Sequence, residues 1–350
     1  MKKVLLIIGL VLLLLFIGSF VFLQTALPPL PNQTEQVIEQ VMASELPALQ
    51  GEEGYAMNGE TRIWYESIPP HTDSSKGSIL LIMGISNDAL AWPGYFLDSL
   101  RQRGYHLVRF DNRGTGLTDW EGNWSEENPY TLEDMAQDGL AVLDELGIGK
   151  AHVIGVSLGG MIAQALTIQA PGRVLSLTSM LSSGNVMDPE LPGMNMGLIT
   201  NLILAQVKYG IISTESNQIK LQILARSLLQ GEADTELDIQ DVARTTLYNL
   251  RHRDGFNSQA FQQQSAAVMT SGSRYEALQH LQTPCLIVHG TSDPLIHFAH
   301  GKKCFELIPG AKRLWLEGMG HDIPIVFVSK VVQAIDDHIS STARTERPVI

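Results

Sequence analysis

Cysteine is nearly absent from this chain, with only Cys285 and Cys304 among 350 residues. Two thiols rule out a disulfide framework, and no cysteine–histidine cluster has the spacing of a zinc site. Cys285 falls in an apolar run that reads as a core strand, so a plain buried thiol is expected there. His297 and His300 are three apart and could share a helix face, but a lone pair does not complete a metal site and no metal is expected. Basic residues are also scarce, with 24 Lys and Arg against 37 Asp and Glu, a net charge of −13. With no basic stripe to neutralise phosphates, nucleic acid is excluded as a partner. The acidity reads as a solvated surface. Internal repeats and low-complexity blocks are lacking.

Charge is missing altogether from Val4 to Leu23, an almost unbroken apolar run after Met1-Lys2-Lys3. Twenty such residues in a helix reach roughly 30 Å, the thickness of a bilayer core. A signal peptide has a shorter apolar region, of about 7–15 residues, and a small-x-small cleavage site. The sequence Gln24-Thr25-Ala26-Leu27-Pro28-Pro29 offers no such site, and no nearby cysteine could carry a lipid. An uncleaved single-pass transmembrane anchor over 1–23 is therefore expected. A cleaved signal, leaving a secreted or periplasmic protein, is the alternative. No Lys or Arg follows until Arg62, so Lys2 and Lys3 would hold the N-terminus in the cytoplasm and the rest on the extracytoplasmic side of the cell membrane. Residues 24–54 read as a tether with a short amphipathic helix at Glu35–Ala43.

From residue 55 onward strands and helices alternate. Tyr55–Ile68 alternates around Asn58-Gly59, a hairpin signal. Strands are expected at Ser78–Met83, His106–Phe110, Ala151–Val156 and Val174–Met180. Between them fall helices at Tyr95–Arg103 and from a Thr131 cap, with Asp134 completing a capping box, to Leu146. Over 183–272 the rhythm gives way to helical stretches, at Leu198–Val207, Gln218–Leu229 and Asp238–Asn249. These read as an inserted helical lid, in which Met187, Met194 and Met196 fit either a pliable lid or ordinary core packing. The alternation returns with strands Cys285–His289 and Arg313–Leu316 and helices near Phe298–Leu307 and Ile325–Ile339. The expected architecture is an α/β core in two parts, 55–182 and 273–342, with a tail at 343–350. Its central sheet is mostly parallel and flanked by helices.

The chain is organised around Ala151–Gly160, where an apolar strand breaks into Gly155-Val156-Ser157-Leu158-Gly159 and continues as a helix. A serine at the apex of a strand–turn–helix is the context that a nucleophile elbow requires. Side chains at Gly155 and Gly159 would collide with the neighbouring strand and helix. The turn exposes the Ser157 hydroxyl and puts the Leu158 N–H at a helix start, where a developing negative charge is favoured.

A serine hydroxyl is a weak nucleophile until a base, itself oriented by a carboxylate, accepts its proton. Two later strand ends supply these groups: Asp293 in Gly290-Thr291-Ser292-Asp293-Pro294 and His321 in Gly318-Met319-Gly320-His321. Ser157, Asp293 and His321 follow the chain order expected with this elbow. His297 is a rival base, but it falls at a helix start too near Asp293 in sequence to face Ser157. Asp111 reads as a turn-stabilising partner of Arg113 rather than as the triad acid. The second oxyanion donor is expected from the loop after Ser78–Met83, with the Ile85 N–H chosen because Gly84 lets the backbone turn there.

With these residues, the sequence from Tyr55 to the last helix resembles the α/β-hydrolase superfamily. Leu80-Leu81-Ile82-Met83-Gly84 with Trp92-Pro93, Arg109-Phe110-Asp111-Asn112-Arg113-Gly114-Thr115-Gly116 and Gly155-Val156-Ser157-Leu158-Gly159-Gly160 resemble the bacterial branch containing the aclacinomycin methylesterases. Met83 departs from the histidine that often precedes this glycine, a change that a backbone oxyanion hole tolerates. The apolar N-terminal run departs from that soluble branch. The resemblance implies a cofactor-free serine hydrolase acting on a small-molecule carboxylic ester with an apolar acyl or alcohol part. The same triad also serves carbon–carbon bond hydrolysis, amide hydrolysis and perhydrolysis, and a non-catalytic binding protein can keep the fold.

Overall fold

The computed structural model describes residues 25–46, 49–120, 124–233 and 235–345. The run Val4–Leu23, expected as an anchor, lies outside these residues, as does 346–350 of the expected tail. No described helix is long and apolar enough to cross a membrane.

The described chain opens with helix α1 (Thr34–Ala43) and a hairpin of β1 (Glu52–Asn58) and β2 (Thr61–Ile68). Next come β3 (Ser78–Ile82), α2 (Gly94–Gln102), β4 (His106–Phe110) and α3 (Leu132–Glu145). The sequence motif spans β5 (Ala151–Val156) and α4 (Leu158–Gln169), followed by β6 (Val174–Met180). Four helices then intervene: α5 (Met196–Ala205), α6 (Glu215–Leu229), α7 (Ile239–His252) and α8 (Ala260–Ser271). The chain finishes with α9 (Tyr275–Gln279), β7 (Cys285–Gly290), α10 (Phe298–Leu307), β8 (Lys312–Leu316) and α11 (Ile325–Thr345).

The eight strands form one sheet in the order β1-β2-β4-β3-β5-β6-β7-β8. The six strands from β4 to β8 in that order pair in parallel, whereas β1–β2 and β2–β4 are antiparallel. Every residue of β5 and β7 is buried, the continuous apolar pattern of parallel strands covered on both faces. One face packs against α3, α4 and α10 through residues such as Leu140, Ile162 and Cys304. The other packs against α2 and α11 through Phe96, Leu100, Val331 and Ile335. The strand order reverses direction at β3: β4 lies on one side of it and β5 on the other. A crevice therefore opens between the carboxyl ends of β3 and β5, where open parallel sheets gather functional groups.

Three expectations change. The hairpin turn is Gly59-Glu60, because Asn58 still pairs with Thr61 as the last rung of the ladder. Gly59 takes the positive φ of 60° at the first turn position, and the Asn58 side chain donates to Asp138 Oδ1 at 2.8 Å, holding it as a strand residue. The stretch expected as a tether is docked rather than loose. Ile38 and Val41 of α1 are buried against Ile219, Ile223, Val242 and Leu247 of α6 and α7, each such burial stabilising by about 1.5–3 kcal/mol. Strand β1 also starts at Glu52, inside that stretch. Finally, Met187, Met194 and Met196 are exposed, so core packing does not account for them.

Candidate active site

Ser157 sits between β5 and α4 at φ 57°, ψ −122°, a region that a side-chain-bearing residue occupies only when its surroundings hold it there. Those restraints are local. The Ser157 N–H donates to Met180 O at 2.9 Å, and its carbonyl accepts from Ser182 Oγ at 2.8 Å. The glycines are there for space: a Cβ on Gly155 would overlap the Gly159 carbonyl, and one on Gly159 would overlap the Ile82 carbonyl. A side chain at Gly84 would come within 3.2 Å of Ser157 Cβ. Among the described residues, Ser157 Oγ makes no hydrogen bond.

Asp293 and His321 come from the loops after β7 and β8. His321 Nδ1 donates to Asp293 Oδ2 at 2.7 Å. This bond keeps a ring proton on Nδ1 and leaves Nε2 as the nitrogen not engaged by the carboxylate. Asp293 Oδ1 accepts the Leu295 and Ile296 N–H groups, both at 2.9 Å. Burial opposes ionisation of Asp293. The charge of His321, the hydrogen bonds from His289 and His321 and the charge of His289 outweigh it, holding the carboxyl well below the usual carboxylate range. His289, which sequence reasoning missed, is fully buried and donates from Nε2 to Ile296 O at 2.8 Å while standing 3.4 Å from Asp293 Oδ2. His297 caps α10 and is exposed. His300 is instead buried and held by Ser183 Oγ and Pro192 O.

Neither the Leu158 N–H nor the Ile85 N–H has a hydrogen-bond partner among the described residues. Leu158 is the first residue of α4, so its N–H lies beyond the helix's own ladder. Ile85 follows β3 across the crevice, in a loop shaped by two side chains to which the sequence reading assigns no role. Asn112 Nδ2 donates to Met83 O at 2.8 Å. Gln264 Oε1, from α8, accepts the N–H of Ser86 at 2.7 Å, and Ser86 has φ 60°. Gln264 Nε2 donates in turn to Arg113 O at 3.1 Å. Removing this clamp in Gln264→Ala frees a strained residue beside the candidate donor. The expected result is a kcat lower by about 10–100-fold with KM little changed, the scale set by misplacing a donor rather than deleting it. Steady-state kinetics on a soluble ester check it, and an unchanged kcat would dissociate Gln264 from the site.

The histidine loop is bound to the helical insertion. The His321 N–H donates to Leu229 O, and the Ala233 N–H to Gly318 O, both at 2.8 Å. The two backbones touch so closely that a Cβ on Gly231 or Gly320 would overlap main-chain atoms of the other. Farther along the insertion, Arg253 reaches into the core. It pairs with Asp111, comes within 4.0 Å of Asp88 and lies over the Trp64 ring at 4.2 Å. Asp111 is thus the partner of Arg253 and not, as expected, of Arg113, which pairs with Asp138 at 2.6 Å. Arg113 has a buried carboxylate of α3 beside it, whereas the insertion brings a second guanidinium to Asp111. Burial pushes the Asp111 carboxyl up to about 7, against the pull of Arg253 and two backbone N–H groups.

Ser157 and His321 are only 7% and 8% exposed. Among the described residues no group of three His, Cys, Asp or Glu side chains could hold a metal ion. A strained serine, an imidazole oriented by a carboxylate and two amide N–H groups without partners can together support attack on a carbonyl carbon.

Residues 77–327 match the alpha/beta hydrolase fold family. The chain is 28% identical over 291 residues to rhodomycin D methylesterase DauP of Streptomyces sp. (strain C5), covering 80% of this chain and 95% of that protein. A meta-cleavage product hydrolase from Pseudomonas fluorescens IP01 superposes with TM-score 0.61 at 20% identity, covering 82% of this chain and 97% of that one. A membrane phospholipase A, described as a bacterial virulence factor, superposes with TM-score 0.61 at 19% identity over 98% of this chain and 99% of that one. The two superpositions establish the fold alone.

Proposed function

The chain belongs to the α/β-hydrolase fold family, and from that premise we propose that it is a membrane-anchored serine hydrolase of carboxylic esters. The observation that carries this reading is the 2.7 Å bond between His321 Nδ1 and Asp293 Oδ2, in loops at the same end of the sheet as Ser157. In this mechanism His321 Nε2 takes the proton of Ser157 Oγ as the oxygen attacks the ester carbonyl. Asp293 holds the imidazole in the required tautomer and stabilises the imidazolium that forms. The Ile85 and Leu158 N–H groups receive the oxyanion. His321 then protonates the departing alcohol, and water, deprotonated by the same imidazole, releases the acyl group and restores Ser157. The methylesterase likeness supports an ester with an apolar part. The uncharged run Val4–Leu23 behind Lys2 and Lys3 supports a single span with the hydrolase on the extracytoplasmic side.

The test uses the full chain in detergent micelles, nitrophenyl esters of increasing acyl length and a fluorophosphonate probe. Ser157→Ala is expected to lose roughly 10⁶-fold in kcat, the scale reached when the nucleophile of such a triad is removed, and to lose the label. A folded wild-type protein that neither turns over esters nor takes the probe would overturn the reading and leave a binding protein with a hydrolase fold.

A further inference from the structure

Seven of the fourteen large apolar side chains left exposed among the described residues lie between Met187 and Ile212. They are ordered. Helix α5 continues as a π-helical turn over Gln206–Gly210, and Met196, Thr200, Ile203, Val207 and Ile211 recur at intervals of three and four, which places them along one face. Met196, Ile203 and Ile211 are 71%, 59% and 74% exposed. On the opposite face Ala205 is buried with Leu27, Leu221 and Leu224, so the exposed stripe is not the side that α5 uses for packing.

Charge points the same way. Residues 191–214 hold one charged side chain, Lys208, and no carboxylate, in a chain whose net charge is −13. The Lys208 ammonium lies 5.2 Å from the Tyr209 ring centre. A lysine and a tyrosine bordering an apolar stripe suit the polar edge of a bilayer, where an apolar stem and a polar tip are both accommodated.

The third observation is position. Leu27 is 5% exposed and fixed against α5 and α6, with Leu30 beside it. The apolar run ends at Leu23, four residues earlier, and four residues reach at most ~14 Å. Wherever that run enters a bilayer, α5 is kept nearby. We propose that the stripe from Met196 to Ile211 docks on a lipid bilayer, its apolar side chains entering the acyl region beside the point where Val4–Leu23 inserts. The proposal rests on the reading of Val4–Leu23 as an anchor, and it adds a second, lateral contact made by the helical insertion.

Single cysteines at Ile203, Ile211, Leu23 and Phe261 test it in the full chain, labelled with a nitrobenzoxadiazole fluorophore and reconstituted into phosphatidylcholine–phosphatidylglycerol vesicles. Cys285 and Cys304 are buried and stay unlabelled in the folded protein. Phe261, exposed on α8, serves as the off-patch control. Doxyl lipids are expected to quench the labels at Ile203 and Ile211 at least about 2-fold more than the label at Phe261, as for an apolar face buried ~5–10 Å into the interface. Quenching at Leu23 alone would overturn the docking and leave the anchor standing. Quenching at none of the four would overturn both. Unquenched Ile211 labels, with disulfide cross-linking of Ile211→Cys between copies, would assign the stripe to a second copy of the chain and overturn the lipid contact. None of these readouts depends on hydrolysis, so failure of the esterase reading would be seen separately.

Discussion

Asp293→Asn is expected to lower kcat by about 10⁴-fold in a protein that remains folded, the scale of a triad whose acid becomes an amide. The geometry dictates which way the amide would face. Oδ1 of Asp293 receives two backbone N–H groups, so the asparagine oxygen stays there and its NH₂ falls where Oδ2 accepts from His321. An amide donor in that place forces the His321 proton from Nδ1 to Nε2, and the lone pair needed to deprotonate Ser157 is lost. The NH₂ would also face the Nε2–H of His289, 3.4 Å from the original oxygen. The pH dependence of stability should change with it. A carboxyl held below its ordinary value of 3.8 contributes stability that is complete above that value and is lost as pH falls toward the depressed one. Wild type should therefore lose stability in acid more steeply than Asp293→Asn. Stopped assays with a nitrophenyl ester and acid denaturation followed by circular dichroism check the two halves. A loss of less than about 10-fold in kcat would remove Asp293 from the role of acid.

Arg253→Met should be strongly destabilising. The guanidinium faces Asp111 in a site where both side chains are almost fully enclosed, and removing one partner of such a pair costs about 3–5 kcal/mol. For a domain of this size that is roughly 6–20 °C in apparent Tm, taking ~2–4 °C per kcal/mol. The methionine keeps contact with Trp64 but leaves the carboxylate unpaired. In wild type the Asp111 carboxyl already sits at about 7, and without Arg253 it moves higher. A folded-state value above the unfolded one means stability is retained at low pH and lost as pH rises through the folded value. The variant's deficit should consequently be larger at pH 9 than at pH 5. The double variant Arg253→Met/Asp111→Asn should recover much of the loss, because the charge of Asp111 is then gone and Asp88 keeps its hydrogen bonds from the Leu90 N–H and Asn249. Thermal unfolding at both pH values measures this, and a deficit independent of pH would mean that Asp111 is not the group left exposed to the change.

The core strands and the serine turn were legible because their signals are local. A buried parallel strand writes itself as an apolar run, and the close backbone contacts of Gly155 and Gly159 demand glycine at fixed offsets from Ser157. Asp293 and His321 stand just past strand ends, and they are hydrogen-bonded across 28 residues. What was not legible depends on partners that spacing does not encode. Gln264 meets Ser86 across 178 residues, and Arg253 meets Asp111 across 142. Each is a polar residue on a helical insertion, and nothing in its neighbours distinguishes it from a solvated one. The same holds for α1: its amphipathic pattern was visible, but the apolar groove between α6 and α7 that receives Ile38 and Val41 exists only once the insertion has folded.

The interlocked backbones of Leu229–Ala233 and Gly318–His321 bear on how such a protein could be re-engineered for other substrates. A designer who exchanged the whole insertion with that of a relative would also exchange the carbonyl that receives the His321 N–H and the glycine that lets the two strips of main chain meet. The graft would then fail in turnover before its pocket had been tried. A modular cut belongs upstream of Leu229, with residues 229–233 retained as part of the host scaffold. Residues 229–233 thus belong with the histidine loop they hold rather than with the helices that precede them.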